Sequence, residues 1–247
     1  MEDKHYLYYI SLIVICIVLG IVLYYNNTNK QRSIVLLAAG PPKPNRKSRW
    51  LETFNDEILI DTNINACTFN NVDLYITINK NDTDLINHVE EYHPHVIILY
   101  PDDEEWISTV NKFIDIPGDI ITICGDLINL KYKYTKKFLD TPLTTAAQKL
   151  KYPWTRGGIV SNSGRMQIGG QGIGMVLISD NHKYIYRDKE IIQKTKDFAN
   201  DFNNNPSTKS GLFGGYMTYY FMEEVLKLND NVGYVYLDED EPLKDND

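Results

Sequence analysis

The sequence has few cysteines and too few positive charges for several common classes of protein. Its three cysteines, Cys16, Cys67 and Cys124, share no short spacing. No disulfide framework or cysteine-rich metal box follows from that pattern, and a reducing compartment is the simpler interpretation. The net charge of -8 argues against a general nucleic-acid-binding protein, because such a protein must attract a polyanion. What remains is a chain of 247 residues, 43% hydrophobic and 12% aromatic, which is long enough to bury a substantial core.

Charged residues are also absent from one long stretch near the start, residues 6–25 (YLYYISLIVICIVLGIVLYY). As a helix this run would span roughly 30 Å, about the hydrocarbon thickness of a bilayer, with tyrosines at both interfaces. No small-residue cleavage site follows it, which favours a retained anchor over a signal peptide. Lys30, Arg32 and Lys43 follow the run, whereas only Lys4 precedes it. The sequence therefore predicts a single-pass membrane protein whose soluble domain lies on the cytosolic side.

The stretch around which the soluble part is organised is residues 33–51, SIVLLAAGPPKPNRKSRWL. An apolar, strand-like run ends in Ala38-Ala39-Gly40, and Lys43, Arg46, Lys47 and Arg49 follow within a few positions. Free backbone amides at the end of a strand, together with nearby cations, form a site that suits a phosphate group. The pattern predicts a phosphate-binding turn.

This stretch resembles the start of the nucleotidyltransferases that join an NTP to a sugar phosphate or an alcohol phosphate, including the phosphocholine cytidylyltransferases. Their first strand runs into an L-A-A-G turn and a basic loop. The resemblance implies that Leu37, Ala38, Ala39, Gly40 and Lys43 bind the nucleotide. It also implies that Arg46 and Arg49 act on the phosphates during catalysis. Mg²⁺ is the cofactor that the resemblance implies, and a nucleoside triphosphate and a small phosphorylated acceptor are the implied partners.

The basic segment departs from the family pattern at three positions. Pro42 and Pro44 stand where the family usually has a second glycine and an arginine, and Arg49 stands where lysine is common. Proline has no amide hydrogen to donate to a phosphate. Either Lys43 and Arg46 bind the phosphates instead, or the loop no longer binds a nucleotide.

Two carboxylates follow predicted strands and are candidate metal ligands. Residues 120–127, IITICGDL, place Asp126 at the end of a buried strand, where the family has its metal-binding aspartate. Taken alone, Gly125-Asp126 is better explained as a turn, whereas the L-A-A-G turn upstream favours the metal ligand. Asp238 follows the last predicted strand and resembles the second metal ligand of the family's closing motif. A solvated acidic tail is the alternative interpretation there.

The order of the elements predicts an α/β fold. Apolar runs predict strands, and helical patterns separate them in the first half of the chain. The predicted strands are 33–38, 74–78, 96–99, 120–124, 172–179 and 233–237, with a hairpin at 157–169. The predicted helices are 60–67, 83–92, 104–113, 188–202 and 216–228. This order indicates a Rossmann-like, three-layer architecture with a mixed, mostly parallel sheet, of the nucleotide-diphospho-sugar transferase type, behind an N-terminal transmembrane helix.

The predicted domain organisation has five parts. A short tail at 1–5 precedes the transmembrane helix at 6–25 and a linker at 26–32. The nucleotidyltransferase-like domain extends over 33–240, and an acidic tail at 241–247 ends the chain.

Three functions fit these patterns. The first is a membrane-anchored, Mg²⁺-dependent nucleotidyltransferase that transfers a nucleotidyl group from an NTP to a sugar phosphate or a choline-type phosphate and releases pyrophosphate. The second is a glycosyltransferase of the related fold that uses a nucleotide sugar. The third is a non-catalytic protein that keeps the fold, which Pro42 and Pro44 favour.

His93 and His95 have no cysteine or third histidine beside them in sequence, which indicates loop residues rather than metal ligands.

Overall fold

A computed structural model describes residues 12–19, 31–40, 48–54, 56–103, 106–125, 127, 130–149, 171–203, 213–228 and 231–237. The chain divides into two units, Met1–Gln31 and Arg32–Asp247. In the first unit, residues 12–19 are helical, and their large apolar side chains are about half exposed. Within the described ranges no helix combines the length and apolar character needed to cross a bilayer. The predicted anchor at 6–25 extends past the described helical residues on both sides.

The second unit is built on a seven-stranded sheet. Its strands are β1 (Arg32–Ala38), β4 (Leu74–Ile78), β5 (Ile97–Leu99), β6 (Asp119–Cys124), β7 (Thr145–Lys149), β8 (Gln171–Ile178) and β9 (Val232–Tyr236). Two short strands, β2 (Thr53–Phe54) and β3 (Glu57–Ile58), form a separate antiparallel pair. The order across the large sheet is β5-β4-β1-β6-β8-β7-β9. All its strands run in one direction except β8, which is antiparallel to both β6 and β7.

Helices cover both faces of this sheet. They are α1 (Leu59–Cys67), α2 (Thr83–Tyr92), α3 (Trp106–Phe113), α4 (Tyr132–Asp140), α5 (Lys189–Asn203) and α6 (Phe213–Leu226), with 3₁₀ helices at Arg49–Leu51 and Asp180–Arg187. Residues of α1, α2 and α4 share one core with Ile34, Leu36 and Ala38 of β1. Residues of α3, α5 and α6 share the other core with Val35. Since successive side chains of a strand point to opposite faces, an apolar run such as β1 must be covered on both sides.

The predicted three-layer, mostly parallel fold is therefore confirmed. In the first half, the predicted strands and helices agree with the observed ones to within about two residues. Asp82 caps α2, because its side chain accepts a hydrogen bond from the backbone nitrogen of Leu85 at 3.3 Å. The hairpin predicted at 157–169 lies outside the described residues.

Besides the short β2–β3 pair and the two 3₁₀ helices, the sequence patterns missed α4 and β7. Helix α4 reads YKYTKKFLD and buries only Tyr134, Thr135 and Phe138, so its apolar stripe is too short to stand out among the lysines. Strand β7 reads TAAQK, which lacks the β-branched and aromatic run that indicates a strand. Its burial comes from pairing with β8 and β9 on either side.

Arg32, at the start of β1, fixes the end of α4. Its guanidinium lies at hydrogen-bond distance from four backbone carbonyl oxygens, those of Phe138, Leu139, Thr141 and Leu143. Burial lowers the pKa of Arg32, while the negative charges of Asp119 and Asp140 act in the opposite direction. A cation at this position satisfies carbonyls that the end of a helix leaves without an intrahelical partner.

Candidate nucleotide-binding site

The ends of β1 and β6 lie side by side at the carboxyl edge of the sheet. Leu37 is paired with Cys124, and the backbone nitrogen of Gly125 donates a hydrogen bond to the carbonyl oxygen of Leu37 at 2.9 Å. A Cβ added to Gly125 would lie only 3.0 Å from that same oxygen and 3.3 Å from the Cβ of Ala38. Glycine therefore allows the two strand ends to approach closely. The beginning of the Gly-Asp turn sits directly beside the L-A-A-G turn.

Helix α1 supports the end of β6 from one face. The fully buried Asn63 donates a hydrogen bond from Nδ2 to the carbonyl oxygen of Gly125 at 2.7 Å. Among the residues that the structure describes, its Oδ1 has no hydrogen-bond partner. Burial of the unpaired Oδ1 costs free energy, whereas the hydrogen bond from Nδ2 restrains the peptide that leads into Asp126.

The described residues on either side of segment 41–47 are both fixed at this edge. A Cβ on Gly40 would lie 3.8 Å from Cζ2 of the buried Trp50, so the two flanks of the segment are neighbours. Ser48 donates a hydrogen bond from Oγ to Oδ2 of Asp82 at 2.6 Å, and Asp82 caps the helix that follows β4. The two residues that flank the basic segment, Gly40 and Ser48, therefore lie near each other at this edge of the sheet.

The structure brings some of the predicted site residues together and leaves others outside its description. Leu37 and Ala38 end β1, Ala39 is half-buried, and Gly40 is exposed. Arg49 is exposed, with its guanidinium carbon 4.8 Å from the centre of the Trp50 ring, a cation–π arrangement. Four predicted residues lie outside the described ranges: Lys43, Arg46, Asp126 and Asp238.

The strands that precede Asp126 and Asp238 end at the same level but far apart across the sheet. One row of paired residues crosses the sheet through Thr122, Val176, Ala147 and Tyr234. Gly125 and Leu237 each lie three positions beyond an end of this row. Between them stand β8 and β7, so at the usual strand spacing the lateral gap is about 14 Å.

Sequence reasoning missed a cluster on the helix layer beside this edge. Oδ1 of Asp61 in α1 lies 2.7 Å from Nε2 of His88 in α2 and 2.7 Å from Nε2 of His93, the residue directly after α2. His93 is a loop residue, as the sequence indicated, but it does have a second histidine and a carboxylate beside it. The pair His88 and His93 near the end of one predicted helix was the available signal, whereas Asp61 comes from a different helix.

Comparison with solved structures identifies the class of fold. No protein-family model matches the sequence, and a search among curated proteins gives no match. Solved structures do match, and the three described below are nucleotidyltransferases. The chain therefore has the fold of the nucleotidyltransferases, and the resemblance seen in the sequence is confirmed at the level of the fold.

Three of the similar structures illustrate that class. The 4-diphosphocytidyl-2C-methyl-D-erythritol synthase from Anaerococcus prevotii has 13% identity and a TM-score of 0.54, over 85% of this chain and 90% of that one. The inositol-1-phosphate CTP transferase from T. maritima has 12% identity and a TM-score of 0.53, over 84% and 85%. The CMP:2-keto-3-deoxy-manno-octonic acid synthetase, solved with CTP, has 11% identity and a TM-score of 0.50, over 84% and 90%.

Proposed function

We propose that this protein is a membrane-anchored, Mg²⁺-dependent nucleotidyltransferase that joins the nucleotidyl group of an NTP to a small phosphorylated acceptor. The observation that supports this most strongly is the close approach of Gly125 to Leu37 and Ala38 at the carboxyl edge of the sheet. In open α/β sheets this edge is where ligands bind. The acceptor is a sugar phosphate or a choline-type phosphate.

In this proposal the turn and the basic segment bind different parts of the nucleotide. Leu37, Ala38, Ala39 and Gly40 supply the backbone surface against the nucleotide, as the nucleotidyltransferase fold allows. Lys43 and Arg46 fall between Gly40 and Ser48, both of which lie at this edge, and we assign them to the phosphates. Arg49 contributes a further cation beside Trp50. Side-chain cations take the place of the amides that Pro42 and Pro44 lack.

The carboxylates assigned to the metal are Asp126 and Asp238. Hard oxygen donors suit Mg²⁺, and Gly125 brings the chain to the L-A-A-G turn immediately before Asp126. The ends of β6 and β9 lie about 14 Å apart, and among the described residues it is the end of β6 that contacts the L-A-A-G turn. We therefore assign Asp126 as the principal ligand; Asp238 would be an accessory ligand only if the chain after Leu237 extends toward β6. When bound, Mg²⁺ supplies charge neutralisation at the phosphates.

The reaction needs little proton transfer, because the nucleophile is already an anion. A phosphate oxygen of the acceptor forms a bond to the α-phosphorus of the NTP, and the bond from that phosphorus to the bridging oxygen of the β-phosphate breaks. Pyrophosphate leaves with the electron pair. The cations of Lys43, Arg46 and Arg49 offset the charge that develops on the phosphate oxygens.

Residues 6–25 anchor this domain in a membrane, with the domain on the cytosolic side, where nucleoside triphosphates are available. The length and apolar character of the run support the anchor, and the lysines and arginine that follow it support the orientation. Retention at the membrane surface would place the site near lipid-linked acceptors.

The first test is nucleotide binding by the full chain in mild detergent. Thermal unfolding is followed with CTP, UTP, ATP and GTP, each with and without Mg²⁺. CTP is expected to give the largest stabilisation, since two of the similar structures carry CTP in their names. A ligand at a hundred times its dissociation constant adds about 2.7 kcal/mol of stability. Release of pyrophosphate is then measured with phosphocholine and a panel of sugar phosphates.

The matched variants are Asp126→Ala and Asp84→Ala, the latter an exposed aspartate in the first turn of α2. Asp126→Ala is expected to abolish the metal-dependent part of the stabilisation, and Asp84→Ala to leave it unchanged. Asp238→Ala is expected to weaken the effect without removing it. Stabilisation by a nucleotide sugar without pyrophosphate release would instead indicate a glycosyltransferase. No stabilisation by any nucleotide, from a folded chain, would indicate the non-catalytic alternative.

A further inference from the structure

Asp61, His88 and His93 form a compact group of potential metal ligands between helices α1 and α2. One atom from each side chain can be chosen so that all three lie within 4.8 Å of one another. The side chains of His88 and His93 are 14% and 10% exposed, and that of Asp61 is 29% exposed. The group is thus shielded on most sides but open to solvent on one.

Two imidazoles and one carboxylate form a ligand set typical of zinc rather than magnesium. Imidazole nitrogen suits zinc and its neighbours in the transition series, whereas magnesium selects oxygen ligands and retains water. Three protein ligands with an open fourth position are a common zinc arrangement. The position of the cluster on the helix layer, with ligands from α1 and α2, separates it from the strand ends assigned to Mg²⁺.

Binding a metal would change the distances between the ligand atoms. Zinc binds nitrogen and oxygen ligands at about 2.0 to 2.2 Å, so tetrahedral ligand atoms stand roughly 3.3 Å apart. The two distances from Asp61 Oδ1 to the histidine Nε2 atoms are 2.7 Å, and each would lengthen by about 0.6 Å. The ligand atoms of the two histidines lie within 4.8 Å of each other and would settle at about 3.3 Å, which requires rotation of the imidazole side chains. Each Nε2 would give up the hydrogen that it now shares with the carboxylate.

The backbone of the cluster is held in place before any metal binds. The backbone nitrogen of His93 donates to Val89, and the carbonyl oxygen of His93 accepts from Val96, both at 2.9 Å. Asp61 lies in the first turn of α1, two residues before Asn63. His95 points its Nε2 to Oγ1 of Thr68 at 3.3 Å and is not part of the ligand group.

We propose that Asp61, His88 and His93 bind one zinc-type transition-metal ion, with water in the fourth position, and that this ion cross-links α1 to the end of α2. The cross-link stabilises the position of α1. Because Asn63 of the same helix holds the carbonyl of Gly125, the ion also stabilises the strand end beside the proposed nucleotide site. The alternative is a cluster that serves only through its two hydrogen bonds, without a metal.

The test uses the full chain in mild detergent with Zn²⁺ alone and no nucleotide. After incubation and dialysis, metal content is measured by inductively coupled plasma mass spectrometry, and thermal unfolding is followed with and without Zn²⁺. The wild-type chain is expected to retain one equivalent of Zn²⁺, to unfold at a higher temperature with it, and to resist displacement by excess Mg²⁺. Co²⁺ in place of Zn²⁺ is expected to give the intense visible absorption of a tetrahedral site.

Two ligand variants, Asp61→Asn and His93→Gln, are expected to lose the retained metal and the metal-induced shift. His95→Gln is the matched control and is expected to keep both, since it removes a neighbouring histidine outside the group. His88→Gln provides a third ligand variant if either of these changes prevents folding, and the Co²⁺ spectrum of the wild type depends on no variant. Absence of bound Zn²⁺ in the wild type, or equal binding by the Asp61 and His93 variants, would overturn the proposal. Asp126→Ala is expected to retain Zn²⁺, so failure here and failure of the proposed function are distinguishable.

Discussion

Gly125→Ala tests whether the close approach of β1 and β6 shapes the proposed nucleotide site. The added Cβ would lie 3.0 Å from the carbonyl oxygen of Leu37, 3.3 Å from the Cβ of Ala38 and 3.4 Å from the carbonyl carbon of Leu37. Two of these atoms belong to the backbone of β1, and the third is attached directly to it, so none can rotate away. Either the end of β6 moves outward or the contact remains strained.

Overpacking of this kind costs about 1 to 3 kcal/mol. For a domain of this size each kcal/mol lowers the unfolding temperature by about 2 to 4 °C, so we expect a loss of roughly 2 to 12 °C. Displacement of Gly125 also displaces Asp126, so the Mg²⁺-dependent stabilisation by nucleotide should fall more steeply than the unfolding temperature alone explains. Differential scanning fluorimetry with and without CTP and Mg²⁺ measures both effects.

Gly233→Ala, in β9, is the matched control. Among the described residues, a Cβ there would meet only the Leu143 side chain, at 3.5 and 3.7 Å, which is ordinary van der Waals contact. Alanine within a strand is favoured over glycine by roughly 0.5 to 1 kcal/mol, so this variant should be no less stable than the wild type. Equal unfolding temperatures for Gly125→Ala and the wild type would refute the steric argument. A destabilised Gly125→Ala that still binds nucleotide normally would separate the strand contact from the site.

Three further predictions concern the rest of the chain. Arg32→Met removes the donor to four backbone carbonyls and should lower the free energy of unfolding, measured by urea titration, by about 3 kcal/mol or more. Arg32→Lys should recover only part of that loss. A loss below about 1 kcal/mol for Arg32→Met would contradict the prediction. Burial raises the pKa of the Cys67 thiol from its ordinary value of 9.0 to about 12. The thiol therefore ionises at lower pH in the unfolded chain than in the folded one, so the free energy of unfolding should fall as the pH rises from about 9 to about 12. In Cys67→Ala the free energy of unfolding should fall less steeply over this range. Parallel plots of unfolding free energy against pH for the two proteins would be inconsistent with this prediction. Deletion of residues 6–25 should release the protein from membranes in alkaline carbonate extraction, whereas continued pelleting of the shortened chain would count against the anchor.

Several features of the fold follow from short sequence patterns, because the forces that form them are local. The run Ile34 to Ala38 must be buried on both faces, so it predicts a central strand of a parallel sheet. The Asp82 cap and the periodicity of α2 depend only on residues within one or two turns. The L-A-A-G turn and the basic residues after it are contiguous, so their likeness to nucleotidyltransferases was visible without the structure.

Weak local signals account for what the sequence patterns missed. β7 carries two alanines in place of a branched apolar run, and it is a strand because it pairs with β8 on one side and β9 on the other. Helix α4 has a short apolar stripe, and its end is completed by Arg32, which lies 106 residues away from Phe138 in sequence. Neither partner is available to a pattern that reads one segment at a time.

Contiguous residues are enough to predict the main strands and helices from β1 to β6, the apolar character of β1 and the residue types of the phosphate-binding turn. The contact of Gly125 with Leu37, the hydrogen bond from Asn63 to the carbonyl of Gly125, and the meeting of Asp61 with His88 and His93 emerge only in the folded chain. Strand register and helix packing bring together residues that are distant in the chain, and the chemistry of a site depends on the distances between their atoms in space.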